Sequence, residues 1–342
     1  LRHEVVVVHV VTDPALAGGR MEVTEQRRGA LRELIAYLPP QRALGKWSAF
    51  RAAYRKLAAM AGACELVHVH HVYPALVFGA AYARRRGLPL FVSEHWTGFL
   101  TGAWRRWNPV MKALLHRASR RVSCFCPVTE HLGRAMQVAG FRGRYEPVPN
   151  VVDTDLFRPR AVEREPGPFR LLHISSMKDE HKNVRGLLRA LAGLQTHARA
   201  WELYLIGDRP ERYRTYARES GMEEGRLHYV DNLPQGDLVP YMQQADLLLM
   251  FSRFENLPCV ILEAFACGLP VVSTEVGGIA EYFPRDFGRL IPSEDEERLR
   301  EEVRACLEGR RSWAPAEKMH AYAVEHFSRE RIGARFGEVY CV

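Results

Sequence analysis

No run of apolar residues in this 342-residue sequence approaches the ~18 needed for a helix to cross a membrane. The longest apolar-rich runs, Val5–Val11 and Leu247–Phe251, are of strand length. No Cys-x-x-Cys pair occurs, and the seven cysteines are odd in number and scattered, so a disulfide framework is not indicated. Cys124 and Cys126 sit one residue apart in a strand-like run and read as buried thiols rather than zinc ligands. The start lacks the charged-then-apolar pattern of a secretory signal. Unpaired thiols then point to a reducing cytoplasm. No Gly-x-Gly-x-x-Gly follows the first strand, which argues against a dinucleotide oxidoreductase. Solenoid-length repeats and low-complexity tracts are also missing.

Hydrophobic residues make up 47% and charged residues 26%, enough apolar surface for packed cores and against dominant disorder. The length suits two domains. The formal charge of +8 is uneven: residues 1–150 hold 22 Lys/Arg against 9 Asp/Glu, whereas residues 151–342 hold 26 against 31. A basic first half fits an anionic partner: nucleic acid, anionic lipid or a phosphorylated substrate. A solvated Arg-rich surface is the plainer alternative. No nucleic-acid reading motif is present, so a nucleic-acid partner would rest on charge alone and none is expected.

Short β-rich runs alternate with longer helical stretches, which argues for α/β architecture with parallel sheets. In the first half strands are expected at Glu4–Val11, Met21–Glu25, Arg32–Leu38, Glu65–His70, Leu90–Ser93, Val122–Pro127 and Tyr145–Val148. Arg27-Arg28-Gly29 marks a hairpin. Helices fill Lys46–Ala61, Ala75–Arg86, Pro109–Ser119 and Glu130–Ala139. The Pro- and charge-rich stretch 153–168 reads as an interdomain connection. Beyond it the expected strands are Arg170–Ser175, Glu202–Ile206, Leu227–Val230, Asp246–Phe251, Val271–Ser273 and Arg289–Leu290. Helices are expected at Val184–Leu194, Arg212–Glu219, Gly236–Gln244, Pro258–Cys267, Ile279–Tyr282, Glu294–Leu307, Pro315–His326 and Arg329–Tyr340. Two doubly wound domains follow, with ligands expected at the carboxyl ends of their strands.

The segment from Ser252 to Ser273 carries the most chemistry. It follows a buried strand, Asn256 can cap a helix, and Pro258 fits its first turn. A helix opening at a strand's carboxyl end aims free N–H groups outward and suits phosphate. Glu255 precedes the helix and Glu263 lies eight residues on, inside it. Gly268-Leu269-Pro270 ends the helix and starts the next strand. The plain alternative is a pair of helix-surface glutamates.

With Glu255, Glu263, Gly268, Pro270 and the Gly277-Gly278 turn before Glu281, this segment resembles the E-x7-E signature of retaining nucleotide-sugar glycosyltransferases of the GT-B fold, family 4, in its bacterial form. The resemblance implies that Glu255 contacts the donor sugar near its anomeric centre and Glu263 the ribose hydroxyls. It places the diphosphate at the helix start, beside Asn256, Leu257 and Pro258. Leu171–Asn183 resembles the family's first strand-to-helix passage of the second domain, where an Arg and a Lys face the diphosphate. Lys182 fits the Lys; Ser176 stands at the Arg position, with Lys178 as a substitute. Glu94-His95-Trp96 resembles a bacterial form of the family motif whose His faces the donor sugar, so His95 is expected to position or polarise the reacting centre. Val148-Pro149-Asn150 resembles the domain junction, and Phe327–Gly333 the closing helix. Lys182 as a solvated helix-start lysine and His95 as an ordinary strand-end histidine are the bland readings.

Asp153-Thr154-Asp155 has the D-x-D form of a metal motif, yet it falls in the junction loop. His68, His70 and His71 lack an acidic or cysteine partner at ligand spacing. No metal site is therefore expected, and His71 is retained as an acceptor-side candidate. The family's opening strand, Gly-rich loop and helix have no convincing copy, Gly18-Gly19 being the nearest. Leu1–Val11 resembles the family's second strand instead.

The expected architecture is thus a GT-B fold, two doubly wound Rossmann-like domains with a cleft between them. Residues 1–152 would form the acceptor-side domain without its first strand–loop–helix, 153–168 the linker, and 169–342 the nucleotide-sugar domain with its closing helices. The implied activity is retaining, metal-independent transfer from a UDP- or GDP-sugar to an acceptor hydroxyl, with no cofactor besides the donor. The acceptor would be a glycan or lipid-linked, in cell-surface polysaccharide or glycolipid synthesis. Arg84-Arg85-Arg86, Arg105-Arg106 and Arg120-Arg121 suit an anionic headgroup at the inner face of the cell membrane. Ser176 and the absent glycine loop favour the alternative, a catalytically impaired sugar-nucleotide-binding GT-B protein.

Overall fold

The structure is a computed structural model that describes residues 3–41, 43–161 and 166–341, with nothing said of the side chains of 43 and 44. Residues 162–165 of the expected connection lie outside the described residues. The chain packs as two compact units. The first comprises Leu1–Ser93, Asn108–Cys124 and Arg142–Arg144; the second comprises Glu94–Trp107, Phe125–Phe141 and Tyr145–Val342.

In chain order the first nine elements are β1 (Val5–Thr12), β2 (Glu22–Arg28), β3 (Leu31–Leu38), α1 (Ala43–Ala61), β4 (Val67–His70), α2 (Ala75–Arg86), β5 (Leu90–Glu94), α3 (Pro109–Ser119) and β6 (Cys124–Pro127). They build two three-stranded sheets, ordered β1-β3-β2 and β4-β5-β6. The hairpin forms where Arg27-Arg28-Gly29 predicts it: Arg28 pairs with Leu31, and Gly29 takes φ +60°, a left-handed turn conformation that glycine adopts without a Cβ penalty. β1 runs parallel to β3. Leu34, Ala36 and Leu38, alternating along β3, face Ala53 and Leu57 of α1 in a small core.

The second unit holds α4 (Glu130–Val138), β7 (Phe169–Ser175), α5 (Asp179–Lys182), α6 (Val184–Ala192), β8 (Trp201–Gly207), α7 (Arg214–Glu219), β9 (Leu227–Asp231), α8 (Gln235–Gln244), β10 (Leu247–Met250), α9 (Cys259–Ala266), β11 (Val271–Thr274), β12 (Gly288–Ile291), α10 (Glu296–Leu307), α11 (Ala316–Phe327) and α12 (Arg329–Tyr340). Its six-stranded sheet is parallel throughout, ordered β12-β11-β10-β7-β8-β9. Leu171, Leu203, Leu205, Leu247 and Leu249 meet Leu187, Leu188 and Leu191 of α6, all shielded from solvent. Each such leucine contributes roughly 1.5–3 kcal/mol relative to exposure. From β7 the chain steps outward to β8 and β9, then returns to β7's other side for β10. The order therefore reverses between β7 and β10. In such sheets this reversal leaves room for a ligand beyond the strands' carboxyl ends.

Two expectations need correction. Tyr145–Val148 is not a strand: Glu146 and Val148 donate to the Phe125 and Pro127 carbonyls (2.9 Å each), but only Tyr145 bridges to Phe125, because Pro127 has no N–H to complete the next rung. The helix expected over Arg212–Glu219 begins as a tight 3-10 turn, Pro210–Tyr213, before α7.

His173 ties β7 to β10. Its Nδ1–H donates to the Leu249 carbonyl (2.8 Å), which leaves Nε2 to accept from the Ser175 hydroxyl (2.9 Å). Ser175 Oγ in turn accepts from the Met177 N–H (3.0 Å). Burial lowers the His173 pKa to about 4, the Leu249 carbonyl opposing and Lys182 adding to the drop. Between about 4 and the ordinary value the unfolded chain binds a proton that the folded chain refuses. Stability therefore falls as pH drops through that window, by roughly 3 kcal/mol in all from this group. Urea unfolding at about pH 7 and about pH 4.5 should show this loss in the wild type and a smaller loss in His173→Gln.

Candidate functional site

The loops that follow β7 and β10 flank the reversal and hold most of the sequence-derived candidates. Lys182, at the end of α5, reaches Glu255 in the loop after β10: Nζ donates to Oε1 at 2.5 Å. The Ser252 hydroxyl donates to the same oxygen at 2.8 Å. Both Glu255 and Glu263 are only 7% exposed, so neither is a helix-surface glutamate. A buried carboxylate needs such partners, since an unpaired one would cost several kcal/mol.

Arg253 welds the two loops together. Its backbone N–H donates to the His181 carbonyl (2.8 Å). Its guanidinium donates to the Asp179 carbonyl (2.6 Å), Asn183 Oδ1 (2.6 Å) and Glu294 Oε1 (2.7 Å). Beneath them Gly277 lies at φ +63°, where a Cβ would stand 2.0 Å from the Glu255 carbonyl oxygen. Only glycine lets that turn back the loop so closely.

Glu263 lies inside α9, with Oε1 accepting from Gln235 Nε2 of α8 (2.7 Å). Burial raises its pKa, and the Gln235 hydrogen bond offsets part of the rise. Asn256 does not cap α9, contrary to expectation; Pro258 holds that position and no side chain caps the helix. The Asn256 side chain lies two residues before the cap position: its Nδ2 donates to the His95 carbonyl (3.0 Å), while its buried Oδ1 has no hydrogen-bond partner. Leu257 and Pro258 are buried, and the Leu257 carbonyl accepts from Asn150 Nδ2 (2.7 Å).

His95 joins this group through the same asparagine. Since Asn150 gives its amide hydrogens to Leu257, its Oδ1 faces His95 Nδ1 (3.1 Å), and Nδ1 is the protonated ring nitrogen. The His95 backbone is set by Glu94, whose Oε1 accepts from the N–H groups of His95 (2.8 Å) and Trp96 (2.9 Å). An aromatic cluster of Trp96, Phe99, Trp104, Trp107 and Phe141 anchors the segment that follows. The start of α4 is filled by Glu281, whose two oxygens accept from Glu130 N and His131 N, each at 2.7 Å.

Lys182, Glu255, Asn256, Leu257, Pro258, Glu263 and His95 thus belong to one unit and are linked, directly or through one residue, except Glu263, which is held by Gln235. Ser176 and Lys178 are exposed beside the β7 loop. His71 is exposed in the first unit, at φ +75°, its N–H donating to the Ser93 carbonyl. Asp153 of the D-x-D accepts from Leu156 N and pairs with Arg329 (2.5 Å). Ser252, Arg253, Gln235, Asn150 and Glu94 carry the geometry but were not singled out for it by sequence. Asn150 and Glu94 lie within recognised motifs; Gln235 has no local signal at all.

Comparison with known proteins fits this geometry. Residues 1–156 match the family described as Glycosyltransferase Family 4, and residues 168–309 match Glycosyl transferases group 1. The chain belongs to the family 4 glycosyltransferases. Among curated relatives, the N-acetyl-alpha-D-glucosaminyl L-malate synthase of Bacillus anthracis is 28% identical over 50% of this chain and 44% of its own length. The 2-deoxystreptamine glucosyltransferase of Streptomyces kanamyceticus is 27% identical over 66% of this chain and 62% of its own. The chain thus spans about half to two thirds of the length of these relatives. Among solved structures, the sucrose-phosphate synthase of Thermosynechococcus elongatus aligns at a TM-score of 0.79 and 18% identity, covering 99% of this chain and 88% of that one. HepE of Anabaena in complex with UDP aligns at 0.74 and 21%, covering 90% and 86%. The family 4 chain therefore has the GT-B fold of two Rossmann-like domains.

Two outcomes follow for this family 4 chain. Arg253→Ala, which removes three guanidinium contacts, should cost about 2 kcal/mol in denaturant unfolding. Glu263→Gln should raise the melting temperature at about pH 8 and lose that gain at about pH 4. The sign follows from the raised pKa: above it the folded state carries a disfavoured buried charge, which the amide removes.

Proposed function

We propose that this chain transfers a sugar from a nucleoside diphosphate sugar to an acceptor hydroxyl, with retention at the anomeric carbon, in bacterial cell-surface polysaccharide or glycolipid synthesis. The observation that carries the reading is the Lys182–Glu255–Ser252 cluster facing the strand-order reversal, its lysine half-buried and its other members buried, with Glu263 eight residues further on. Relatives of similar sequence are named as a putative teichuronic acid biosynthesis glycosyltransferase of Bacillus subtilis and a putative colanic acid biosynthesis glycosyltransferase of Escherichia coli. HepE has been solved with UDP-glucose.

In this reading Glu263 accepts hydrogen bonds from the ribose hydroxyls; burial strengthens such bonds because water does not compete. The diphosphate lies at the uncapped start of α9 and draws Lys182 toward itself. Electrostatic stabilisation of a leaving diphosphate is the largest kind of catalytic contribution available to such a site. Glu255, released from Lys182, accepts from a donor-sugar hydroxyl near the anomeric centre. The His95 ring, oriented by Asn150, faces the sugar and polarises the reacting centre. No side chain serves as a covalent nucleophile: the acceptor oxygen bonds to the anomeric carbon on the face the phosphate leaves, and its proton passes to the departing phosphate oxygen. No step calls on a divalent metal or a further cofactor.

The test is a thermal-shift screen with UDP, GDP and their glucose, N-acetylglucosamine, galactose and mannose conjugates, followed by transfer assays. Stabilisation by one nucleotide family, lost in Glu263→Ala, is expected. Absence of any shift across the panel would refute the reading. Glu255→Gln should lower transfer by about 100-fold or more. The same variant should tighten binding of the nucleoside diphosphate itself, because Lys182 no longer has a carboxylate to leave.

A further inference from the structure

As the site stands, the charge of Lys182 is taken up by Glu255. A diphosphate carries at least two negative charges, so one lysine that must first leave a carboxylate is a weak receptor. We infer that Arg212 supplies a second cation to the donor's diphosphate; the inference rests on the donor reading above.

Arg212 lies in the 3-10 turn Pro210–Tyr213, just after β8. Its Nη2 donates to the carbonyl of Met177, in the loop between β7 and α5, and Tyr213 Oη donates to the same oxygen at 2.7 Å. The two loops meet at their roots as well. Gly207, the last residue of β8, sits so close to Ser175 that a Cβ there would lie 1.8 Å from the Ser175 carbonyl oxygen. The guanidinium is therefore fixed at the loop that carries Lys178 and leads into Lys182. It stands at the carboxyl ends of β7 and β8, the side of the sheet where ligands bind.

Its commitments leave capacity for an anion. A guanidinium has five N–H donors in a planar fork, and the Met177 carbonyl takes one. The facing acid, Asp208, is 4.0 Å from Nη1, at the limit of an ion pair. The side chain is 37% exposed, so an incoming ligand can reach it. The neighbouring groups that share this end of the sheet are Asp179 and Arg185, which are felt by the Tyr213 phenol together with Arg212. Asp179 is itself engaged, its Oδ1 capping the Arg185 N–H at 2.8 Å. Met177 holds φ +55° to present its carbonyl to Arg212, and its N–H is pinned by Ser175. Ser176, exposed, is the sequence neighbour of the Met177 that the guanidinium contacts.

The test is calorimetric titration of the full chain with UDP, GDP, uridine and guanosine. Arg212→Gln keeps a donor for the Met177 carbonyl and removes the charge. It should weaken the nucleoside diphosphate about tenfold or more, as expected for a lost charge-assisted bond, and leave the matching nucleoside unchanged. Ser176→Arg in that background should recover affinity, since it places a cation on the loop that Arg212 contacts. Lys178→Ala should fall short of the Arg212→Gln loss. Unchanged diphosphate affinity in Arg212→Gln would overturn the assignment. Equal losses for nucleoside and nucleoside diphosphate would also overturn it, showing a purely structural role for the arginine. Wild-type binding of neither UDP nor GDP would refute the donor reading itself, and the assignment with it.

Discussion

The structure of the second unit depends on β7 and β10 lying side by side in one parallel sheet although four helices, two strands and their connections separate them in sequence. That adjacency produces the pairing of Lys182 with Glu255. It sets the loop bearing Lys182 against the loop bearing Glu255, and His173 locks it from within by bonding one strand to the other's backbone. The hydrophobic faces of α6 and the sheet pack around the pair.

Upon this frame the chain places charges that are costly to bury and then satisfies each one locally. Glu255 is answered by Lys182 and Ser252, Glu263 by Gln235, and Glu94 by two backbone N–H groups. A buried ion pair adds little net stability, because desolvation consumes most of the attraction. Its retention at this point is better explained by use than by stability. Glu263 and His95 are held by Gln235 and Asn150 in advance, whereas the Lys182–Glu255 pair must part for the donor proposed above to be bound.

The architecture was largely legible in the sequence because local signals agree with the tertiary structure. The bounds of Ala75–Arg86, Pro109–Ser119 and Arg329–Tyr340 coincide with expectation, each punctuated by glycine, proline or a capping serine. Glu255, Glu263 and Lys182 could be singled out because they match a family signature in register with the strand, helix and Gly-Pro around them. Legibility failed where a residue's partner lies far along the chain. Gln235 reaches Glu263 across 28 residues, and Arg253 reaches Asn183 across 70. No periodicity encodes such pairings. Asn256 misled for another reason: the cap position lies two residues later, at Pro258, and the Asn256 Nδ2 serves a carbonyl 161 residues away.

The closure of α4 by Glu281 bears on how this chain chooses among anions. Helix starts attract negative charge indiscriminately. A carboxylate tethered by the chain itself competes at an effective concentration of millimolar or more, which free phosphate must match to displace it. The chain has thus filled the start of α4 with its own acid, both oxygens engaged, while leaving α9 without a side-chain cap. For the donor proposed above, selectivity is then partly subtractive: its diphosphate meets one open helix start and one already occupied.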